Sequence, residues 1–390
     1  MSRRDQFDAI VVGGGPVALA SALGLARAGL QAALTLDHEP ASFNPHSAID
    51  LRVYALAPDV CAWLKQLGVW QFVEEQRHCE FQSMQVWDAS SSGSLRFTAA
   101  EYGWPALGTI VEHGLLCSAL WQAVQACETI SVVHGLVEKT ERVDSLTVAS
   151  VSDRTLRGRL LVAADGADSQ LRKHLGIATY QLDYRQSALV TTLSSELPHQ
   201  HCAWQRFLPD GPIAMLPLAN GQCSMVWTLP TARADVQAAL SDEACLAEIQ
   251  RAFGDVLGRF TQIGARRTAP LQLRLAHEYV RDNVVLVGDA AHLVHPLAGQ
   301  GLNLGLRDSQ CLARELGKTQ SLNSALRRYE RERKSENELA ARGIDALQRV
   351  FTPARGPLAW SRGLGMTALH SLAPIKRLFA ELATGNRAGL

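Results

Sequence analysis

A carboxylate and a glycine-rich turn follow an apolar run late in the chain. Val284–Val287 (VVLV) is typical of a buried β-strand, and Gly288 and Asp289 end it. The segment 296–303 (PLAGQGLN) then leads into a helical pattern. Open α/β sheets bind their ligands at this position, beyond the carboxyl end of a strand. The order of strand, acidic turn, glycine-rich loop and helix therefore predicts a ligand site.

The residue types indicate what such a site would bind. The Asp289 carboxylate suits a sugar or ribityl hydroxyl rather than a phosphate, because like charges repel. The backbone N–H groups of Gly299–Asn303 suit an electron-rich ring edge, because N–H groups at a helix start lack partners within the helix. An ordinary strand–loop–helix connection has the same pattern, so this stretch alone leaves both interpretations open.

The N-terminal segment predicts a second half of the site. Phe7–Val12 is a short apolar strand, GGGPVA follows at 13–18, and an Ala/Leu-rich helix runs to Ala28. Gly13 permits the tight turn, Gly15 lets the backbone approach a pyrophosphate, and Ala18 takes the third position of the dinucleotide fingerprint. The pyrophosphate would lie at the helix start, where Pro16 and Val17 stand.

Three further polar residues are candidates for cofactor binding. Asp37 follows the second predicted strand, slightly beyond the offset of about 20 residues at which a ribose ligand is expected. Leu36 competes for that position, and a solvated turn carboxylate explains Asp37 equally well. Arg52 offers a fork of donors to phosphates or to a ring edge. Asp165 stands at the end of the strand-like run at 160–164, as Asp289 does after its own strand.

Composition excludes several function classes. The 390 residues carry 38 basic and 38 acidic side chains, which argues against nucleic acid as the main partner. No apolar run approaches the roughly 18 residues of a membrane helix, and Gly13–Gly15 interrupt the N-terminal run, which argues against a signal peptide. The eight cysteines form no CxxC and no metal-type spacing, so we expect no metal site, no disulfide reductase chemistry and a reduced, cytoplasmic location.

The strand and helix patterns predict an α/β fold with a Rossmann-like domain, an inserted antiparallel sheet and a helical C-terminus. The predicted dinucleotide domain covers 1–80, 106–180 and 276–350, the inserted substrate domain 81–105 and 181–275, and the helical segment 351–390. Met215, Leu216, Pro217 and Trp227 are candidate pocket residues, although ordinary core explains each one better. The basic, amphipathic segment 351–390 fits either a membrane-surface contact or a docking helix.

Three motifs in order carry a family resemblance: 13–18, the DGADS sequence at 165–169, and GDAAH at 288–292 with PLAGQGLN at 296–303. Together they resemble the single-component FAD-dependent aromatic hydroxylases of the p-hydroxybenzoate hydroxylase group. Within that group the chain is similar to the ubiquinone-biosynthesis hydroxylases, through Asp50–Leu56, Leu67–Trp70, Trp204–Leu218 and the late helix at Arg331–Phe351. The resemblance covers nearly the whole chain.

The resemblance implies a monooxygenase that contains FAD and uses NAD(P)H and O₂. NAD(P)H reduces the flavin and leaves, and a flavin C4a-hydroperoxide then hydroxylates an electron-rich ring. The implied substrate is a polyprenyl phenol or quinol of ubiquinone biosynthesis, with the demethoxyubiquinol ring as the best match. The single dinucleotide fingerprint agrees with transient nicotinamide binding. A biosynthetic protein complex, a homo-oligomer and a peripheral membrane contact are further expected partners.

The resemblance also assigns roles by position. The expected cofactor-binding residues are Gly13, Gly15, Pro16, Val17, Ala18, Asp37, Arg52, Asp165, Asp289, Pro296, Gly299, Gln300, Gly301, Leu302 and Asn303. No acid–base catalyst is assigned, because a phenol or quinol ring is already activated. His292 and His295 are expected to be buried and bonded to backbone. Glu112 and His113 are interpreted as a solvated helix start rather than as cofactor neighbours.

Three alternatives stay open. One is a flavin-dependent reductase or dehydrogenase on the same fold, the second is a non-catalytic flavoprotein of a biosynthetic assembly, and the third is a plain NAD-dependent dehydrogenase.

Overall fold

The acidic turn at 288–290 connects the two large sheets of the molecule. The computed structural model describes residues 6–90, 93–295, 299–319 and 321–351, without the side chains of 347–351. Strand β19 (Val284–Leu286) lies in the first sheet, a 3-10 turn covers Gly288–Ala290, and β20 (His292–Leu293) pairs in the second sheet. The predicted ligand site therefore lies where the sheets meet.

The remaining strands in chain order are β1 Gln6–Val12, β2 Ala32–Leu36, β3 Val53–Leu56, β4 Cys79–Phe81, β5 Ser83–Asp88, β6 Ser94–Thr98, β7 Gly108–Glu112, β8 Ile130–His134, β9 Val137–Val143, β10 Leu146–Val151, β11 Arg154–Ala163, β12 Thr179–Ser195, β13 Cys202–Phe207, β14 Ile213–Pro217, β15 Cys223–Pro230, β16 Phe260–Ile263, β17 Arg267–Ala276 and β18 Val280–Arg281. The helices are α1 Pro16–Arg27, α2 Pro58–Gln66, α3 Trp70–Glu74, α4 Ala99–Tyr102, α5 His113–Gln125, α6 Gln170–His174, α7 Thr231–Ala239, α8 Asp242–Phe253, α9 Gln300–Gly317 and α10 Leu322–Phe351.

The first sheet is the predicted Rossmann-like layer. Its order is β18-β19-β11-β1-β2-β8, with parallel pairing from β19 to β8 and antiparallel β10 and β9 beside β11. Strands buried on both faces need continuous apolar sequences, and β2 is buried at every position. Helix α1 has few polar residues because it is covered on several sides, by this sheet, by α9 and by α5. The fold-class prediction is confirmed here.

The second sheet contains the inserted strands. Its order is β20-β17-β12-β15-β14-β13-β5-β6, and β16 pairs with β12. Helices α7 and α8 cover one face, where Met215, Trp227 and Phe253 form the core. A third, small sheet of β3, β7 and β4 lies by the opposite face, where Leu216 packs near Ala55. The domain limits stay a prediction, and β20 joins this sheet although it falls in the segment 276–350.

The largest local differences from the sequence-based expectation are an unpredicted strand β9 and helix α7. Strand β9 has mostly exposed side chains, so it lacks a clear apolar period. Nearly all of the predicted C-terminal segment 351–390 lies outside the described residues. Within the part of the chain that is described, no helix has the length and apolarity to span a membrane.

Candidate active site

Val17 on the fingerprint helix packs between Gly288 of the late motif and Gly305 of α9. A Cβ at Gly305 would lie 2.8 Å from Val17 Cγ2, and one at Gly288 would lie 3.0 Å from Val17 Cγ1. One turn along, the Ser21 and Ser309 hydroxyls are 2.7 Å apart. Helices α1 and α9 therefore approach closely enough to fix the fingerprint turn against the acidic turn. Sequence reasoning missed this contact, although the small residues at 305, 309 and 313 were a signal for it.

The fingerprint turn leaves space for a ligand at the start of α1. Gly13 has φ +131°, and a Cβ there would overlap the carbonyl oxygen of Ala164. Gly15 is the N-cap of α1, Pro16 is its first residue, and a Cβ added at Gly15 would meet no atom within 4 Å. Ala18 is fully buried, as the third fingerprint position requires. The open space beside unpartnered helix-start N–H groups fits a pyrophosphate.

Asp37 lies at the carboxyl end of β2 but is exposed. Its side chain is 53% exposed, and its carboxylate is 3.1 Å from His38 Nε2. Leu36 is buried, with its Cβ 3.4 Å from the position of a Cβ on Gly14. Because Leu36 faces into the turn and Asp37 faces solvent, ribose binding by Asp37 stays a prediction.

Asp289 and Arg52 come together across the site. Burial raises the pKa of Asp289, whereas the charges of His292 and Arg52 lower it. No hydrogen bond joins the Asp289 carboxylate to the described part of the chain. A partly buried carboxylate that lacks donors fits a ligand hydroxyl, which supplies one. Arg52 lies with its guanidinium carbon 5.4 Å from the centre of the Tyr54 ring.

The interpretation of Glu112 and His113 as a solvated helix start is wrong. Glu112 is 4% exposed and accepts hydrogen bonds from Arg77 Nε at 2.6 Å and from the Asp50 backbone N–H at 2.7 Å. His113, the first residue of α5, contacts the Tyr54 hydroxyl through Nδ1 at 2.8 Å. Burial and Arg52 lower the pKa of His113. The start of α5 therefore holds the segment that carries Arg52. Its partners lie far away in the sequence, so no local pattern predicts this role.

The second acidic turn is tied to the first by an arginine. Asp165 Oδ2 accepts from the Leu171 backbone N–H at 3.2 Å, and its buried Oδ1 lacks a hydrogen-bond partner among the described residues. Arg172 is buried and donates to the carbonyl oxygens of Ala167 and Ala290, each at 2.8 Å. The Arg172 side chain therefore connects the turn after Asp165 to the turn of Asp289. Sequence reasoning did not single out Arg172.

The glycine-rich turn begins α9 and holds β3. Gly299 is the N-cap in the left-handed conformation, with φ +61°. Gln300, Gly301 and Leu302 form the first turn, so their N–H groups face outward at the helix start. The buried Asn303 side chain accepts from the Ala57 N–H at 2.9 Å and donates to the Ala55 and Gly299 oxygens at 2.9 and 3.1 Å.

This arrangement divides the predicted roles within the turn. Binding of a ring edge by the backbone N–H groups stays a prediction, whereas the Asn303 side chain bonds protein backbone and holds β3 in place. Pro296 lies outside the described residues.

The two histidines near the acidic turn are both buried. We expected His292 to bond backbone. Its Nε2 instead contacts the Asp308 carboxylate at 2.6 Å. A buried carboxylate is the stronger partner for this nitrogen, since a charge-assisted hydrogen bond forms. His295 packs edge-on to Tyr184, and burial lowers its pKa to about 4. His295 is therefore neutral at neutral pH.

One of the four candidate pocket residues, Leu216, faces the small sheet rather than the core under α7 and α8. Met215 and Trp227 are core residues under α7 and α8. Leu216 lies on the opposite face, because successive side chains alternate along a strand. It belongs to an apolar cluster that also contains Ile49, Leu218 and five residues of the small sheet, namely Val53, Ala55, Cys79, Phe81 and Ile110. Since Ala55 is held by Asn303, this cluster borders the glycine-rich turn.

The residues present fit FAD. The helix start at Gly15 suits its pyrophosphate, the Asp289 carboxylate its ribityl hydroxyls, and the N–H groups of 300–303 its ring. The described residues contain no cluster of His, Cys, Asp and Glu that could hold a metal ion.

Comparison with known proteins agrees with this assignment. A family model described as an FAD binding domain matches residues 6–342. The Escherichia coli protein named 3-demethoxyubiquinol 3-hydroxylase is 36% identical over 383 residues, covering 96% of this chain and 97% of that protein. Ubiquinone hydroxylase UbiL of Rhodospirillum rubrum is 35% identical and covers 97% of this chain and 89% of that protein.

A solved structure supports the fold at low sequence identity. Klebsiella pneumoniae HpxO, crystallised with FAD and uric acid, superposes with a TM-score of 0.76 at 16% identity. The match covers 100% of this chain and 99% of that one. With the sequence match across both acidic turns, the fingerprint and most of the chain, this protein belongs to the FAD-binding family of flavin-dependent monooxygenases.

Proposed function

We propose that this FAD-dependent monooxygenase hydroxylates the aromatic ring of a polyprenyl phenol or quinol in ubiquinone biosynthesis, using NAD(P)H and O₂. The structural observation that supports the proposal is the apolar cluster of Leu216 and its neighbours, which borders the glycine-rich turn. An apolar surface at this place would favour an uncharged ring with a hydrocarbon chain, because burying such a ligand removes apolar surface from water.

The relatives favour one substrate among the polyprenyl phenols. The Escherichia coli relative is named for the 3-hydroxylation of 3-demethoxyubiquinol, and it matches this chain over nearly its full length. We therefore propose the demethoxyubiquinol ring as the substrate. The name of the Rhodospirillum rubrum relative specifies only ubiquinone hydroxylation.

FAD, when bound, accepts reducing equivalents from NAD(P)H and activates oxygen for transfer to the ring. The chain's own residues then position and shield the ring system. The start of α1 would hold the pyrophosphate, and Asp289 would orient the ribityl chain. The N–H groups of Gly299–Asn303 would stabilise negative charge on the reduced ring.

Substrate delivery is a further proposal. A polyprenyl chain partitions into membranes, so the enzyme is proposed to work in the cytoplasm with peripheral membrane contact, either alone, as a homo-oligomer or within a biosynthetic complex. The basic segment at 352–390, which lies outside the described residues, is the proposed contact. Vesicle flotation of the full chain and of a chain ending at 351 tests this, since equal flotation contradicts it.

The test of function is complementation. Bacterial strains that each lack one ubiquinone hydroxylase would express this chain, and their quinone intermediates would be identified by mass. We expect restored ubiquinone only in the strain that accumulates the demethoxy compound. Rescue of another strain reassigns the ring position, and rescue of none overturns the proposal.

A second measurement separates the other activities of the fold. The purified holoenzyme would be supplied with NAD(P)H, a short-chain quinol and ¹⁸O₂. One labelled oxygen atom in the product is expected for a hydroxylase. A product without label indicates a reductase or dehydrogenase, and no NAD(P)H consumption indicates a non-catalytic flavoprotein.

A further inference from the structure

Asp308 collects four hydrogen bonds in the interior beneath the acidic turn. Its Oδ2 accepts from the Gly288 backbone N–H at 3.0 Å and contacts His292 Nε2 at 2.6 Å. Its Oδ1 accepts from Arg333 Nε at 2.7 Å and from Asn337 Nδ2 at 3.0 Å. Asp308 is 0% exposed, so these donors replace water completely.

The two oxygens of Asp308 serve different parts of the fold. Oδ2 binds the turn that carries Asp289, and Oδ1 binds α10, on which Arg333 and Asn337 are one helical turn apart. Arg333 also donates to Asn337 Oδ1 at 2.8 Å and to Glu336 at 2.5 Å. One carboxylate therefore joins the acidic turn to the late helix.

The charges in this cluster agree with a permanent ion pair. Burial raises the pKa of Asp308, but His292 and Arg333 lower it further, to about 2. The side chains of Asp308 and Arg333 are almost fully buried. Removing either partner of such a pair leaves an uncompensated charge in the interior. Tyr279 stacks on His292 and receives a 3.5 Å contact from Asn337, which completes the packing around the pair.

We propose that Asp308 is a positioning residue for FAD. It fixes the Gly288–Asp289 backbone, and thereby the Asp289 carboxylate, while Arg333 makes α10 part of the cofactor site. Asp308 touches no cofactor group itself. The proposal does not depend on which ring the enzyme hydroxylates.

The test compares two aspartate–arginine pairs, each of which has one member on α9. Asp308→Asn removes the charge of the buried pair. Asp59→Asn is the matched control, because Arg307, the neighbour of Asp308 on α9, donates two hydrogen bonds of 2.7 and 3.0 Å to Asp59. Among the described residues, neither Asp59 nor Arg307 has a hydrogen bond to the turn at 288–290. Each full-length protein would be stripped of FAD and titrated with it, and its unfolding midpoint would be measured without FAD.

We expect Asp308→Asn to weaken FAD binding by about tenfold or more, as the loss of charged hydrogen bonds at a site predicts. The FAD affinity of the Asp59→Asn control is expected to stay within about twofold of wild type. This holds even if its unfolding midpoint falls by as much as that of Asp308→Asn. A loss of FAD affinity no larger than that of the control overturns the proposal.

The flavin midpoint potential provides a readout that a general packing defect would not move. Asp308→Asn leaves an unpaired positive charge near the site and should raise the potential, because reduction adds negative charge to the ring. Arg333→Met leaves an unpaired negative charge and should lower it. Shifts in the same direction, or no shift in either protein, overturn the assignment.

A conservative variant keeps the test decisive where Asp308→Asn does not fold. Arg333→Lys retains the charge but loses the fork that reaches Asn337 and Glu336. Its FAD affinity should lie between those of wild type and Arg333→Met. If Arg333→Lys and wild type have equal FAD affinities and equal unfolding midpoints, the guanidinium of Arg333 has no positioning role.

Discussion

The hydroxyls of Ser21 and Ser309 are 2.7 Å apart although 288 residues separate them in the sequence. Both side chains are buried, and the Ser309 hydroxyl also reaches the Val17 carbonyl oxygen at 3.3 Å. The helix that begins at the pyrophosphate turn and the helix that begins at the ring-facing turn thus pack as one unit. This contact fixes the distance between the two helix starts that are predicted to bind the pyrophosphate and the flavin ring.

Gly305→Ala should separate these helices. Its Cβ would meet Val17 Cγ2 at 2.8 Å and Gly288 Cα at 3.0 Å, and backbone cannot yield as a flexible side chain does. We expect a loss of about 1–3 kcal/mol in the free energy of unfolding, together with weaker FAD binding. Urea unfolding and FAD titration measure the two effects.

Gly343→Ala is the control for this change. Gly343 is an exposed residue of α10, and a Cβ there meets no atom within 4 Å. Alanine should therefore be neutral or stabilise by up to about 1 kcal/mol. Equal behaviour of the two alanine variants would contradict the close approach at Gly305.

Asn303→Ala should destabilise the chain by removing three hydrogen bonds to the backbone of Ala55 in β3, of Ala57 just after it and of Gly299. Leaving buried N–H and C=O groups without partners costs about 2 kcal/mol or more in the free energy of unfolding. Asn323→Ala, at an exposed position of α10, should stay within about 0.5 kcal/mol. Thermal unfolding of the FAD-free proteins compares them, and similar midpoints would show that Asn303 does not hold β3.

Asp289→Asn should stabilise the FAD-free protein at neutral pH while weakening FAD binding. The folded pKa of Asp289 is raised, mainly by burial, so the folded state binds more protons than the unfolded state between the two pKa values. Stability therefore falls as pH rises through that window, and the ionised carboxylate is a net cost above it. The asparagine side chain removes the cost of burying an ionised carboxylate. It also removes a charged acceptor for a ribityl hydroxyl, and we expect this loss to weaken FAD binding by about tenfold.

Unfolding of the FAD-free protein between about pH 4 and pH 7 checks the sign of this effect. Asp153→Asn, at an exposed turn position, serves as the control. Lower stability of Asp289→Asn at pH 7, or unchanged FAD affinity, would count against the assigned role.

His295 should make the protein less stable in mild acid. Burial lowers its folded pKa to about 4 from an ordinary value of 6.5, so the unfolded state binds the proton first as pH falls. The contribution of neutral His295 to the free energy of unfolding is complete above the pKa of the unfolded state. It is lost as pH falls below that pKa, by roughly 2 kcal/mol between about pH 7 and pH 5.

His295→Gln should reduce this dependence, and the exposed His174→Gln on α6 should leave it unchanged. Urea unfolding at both pH values gives the comparison. An identical pH dependence for wild type and His295→Gln would show that His295 is not the responsible group.

Local sequence was enough to predict the fingerprint turn and the position of Asp289. Both follow short apolar strands directly, and glycine spacing has a steric cause that applies wherever the turn occurs. Leu216 shows the limit of such patterns. Alternation along β14 separates it from Met215, but only the position of α7 and α8 decides which of the two faces is core.

The residues that sequence reasoning missed act over long chain distances. Arg172 bonds a carbonyl 118 residues away, Glu112 an arginine 35 residues away, and Asp308 an arginine 25 residues away. In sequence, each is one charged residue among many, and nothing local distinguishes a buried ion pair from a solvated side chain. Their roles appear only when the elements carrying the partners are packed.

The passage of the chain from β19 to β20 has a mechanical consequence. These strands belong to different sheets, and the turn of Asp289 is the short connection between them. The chain also crosses between the sheets at 277–279, from β17 to β18. If the inserted sheet tilts when a bulky ring enters, both of these short connections would move with it. Ring entry would then displace the Asp289 carboxylate, which lies within the five residues 287–291 that join β19 to β20.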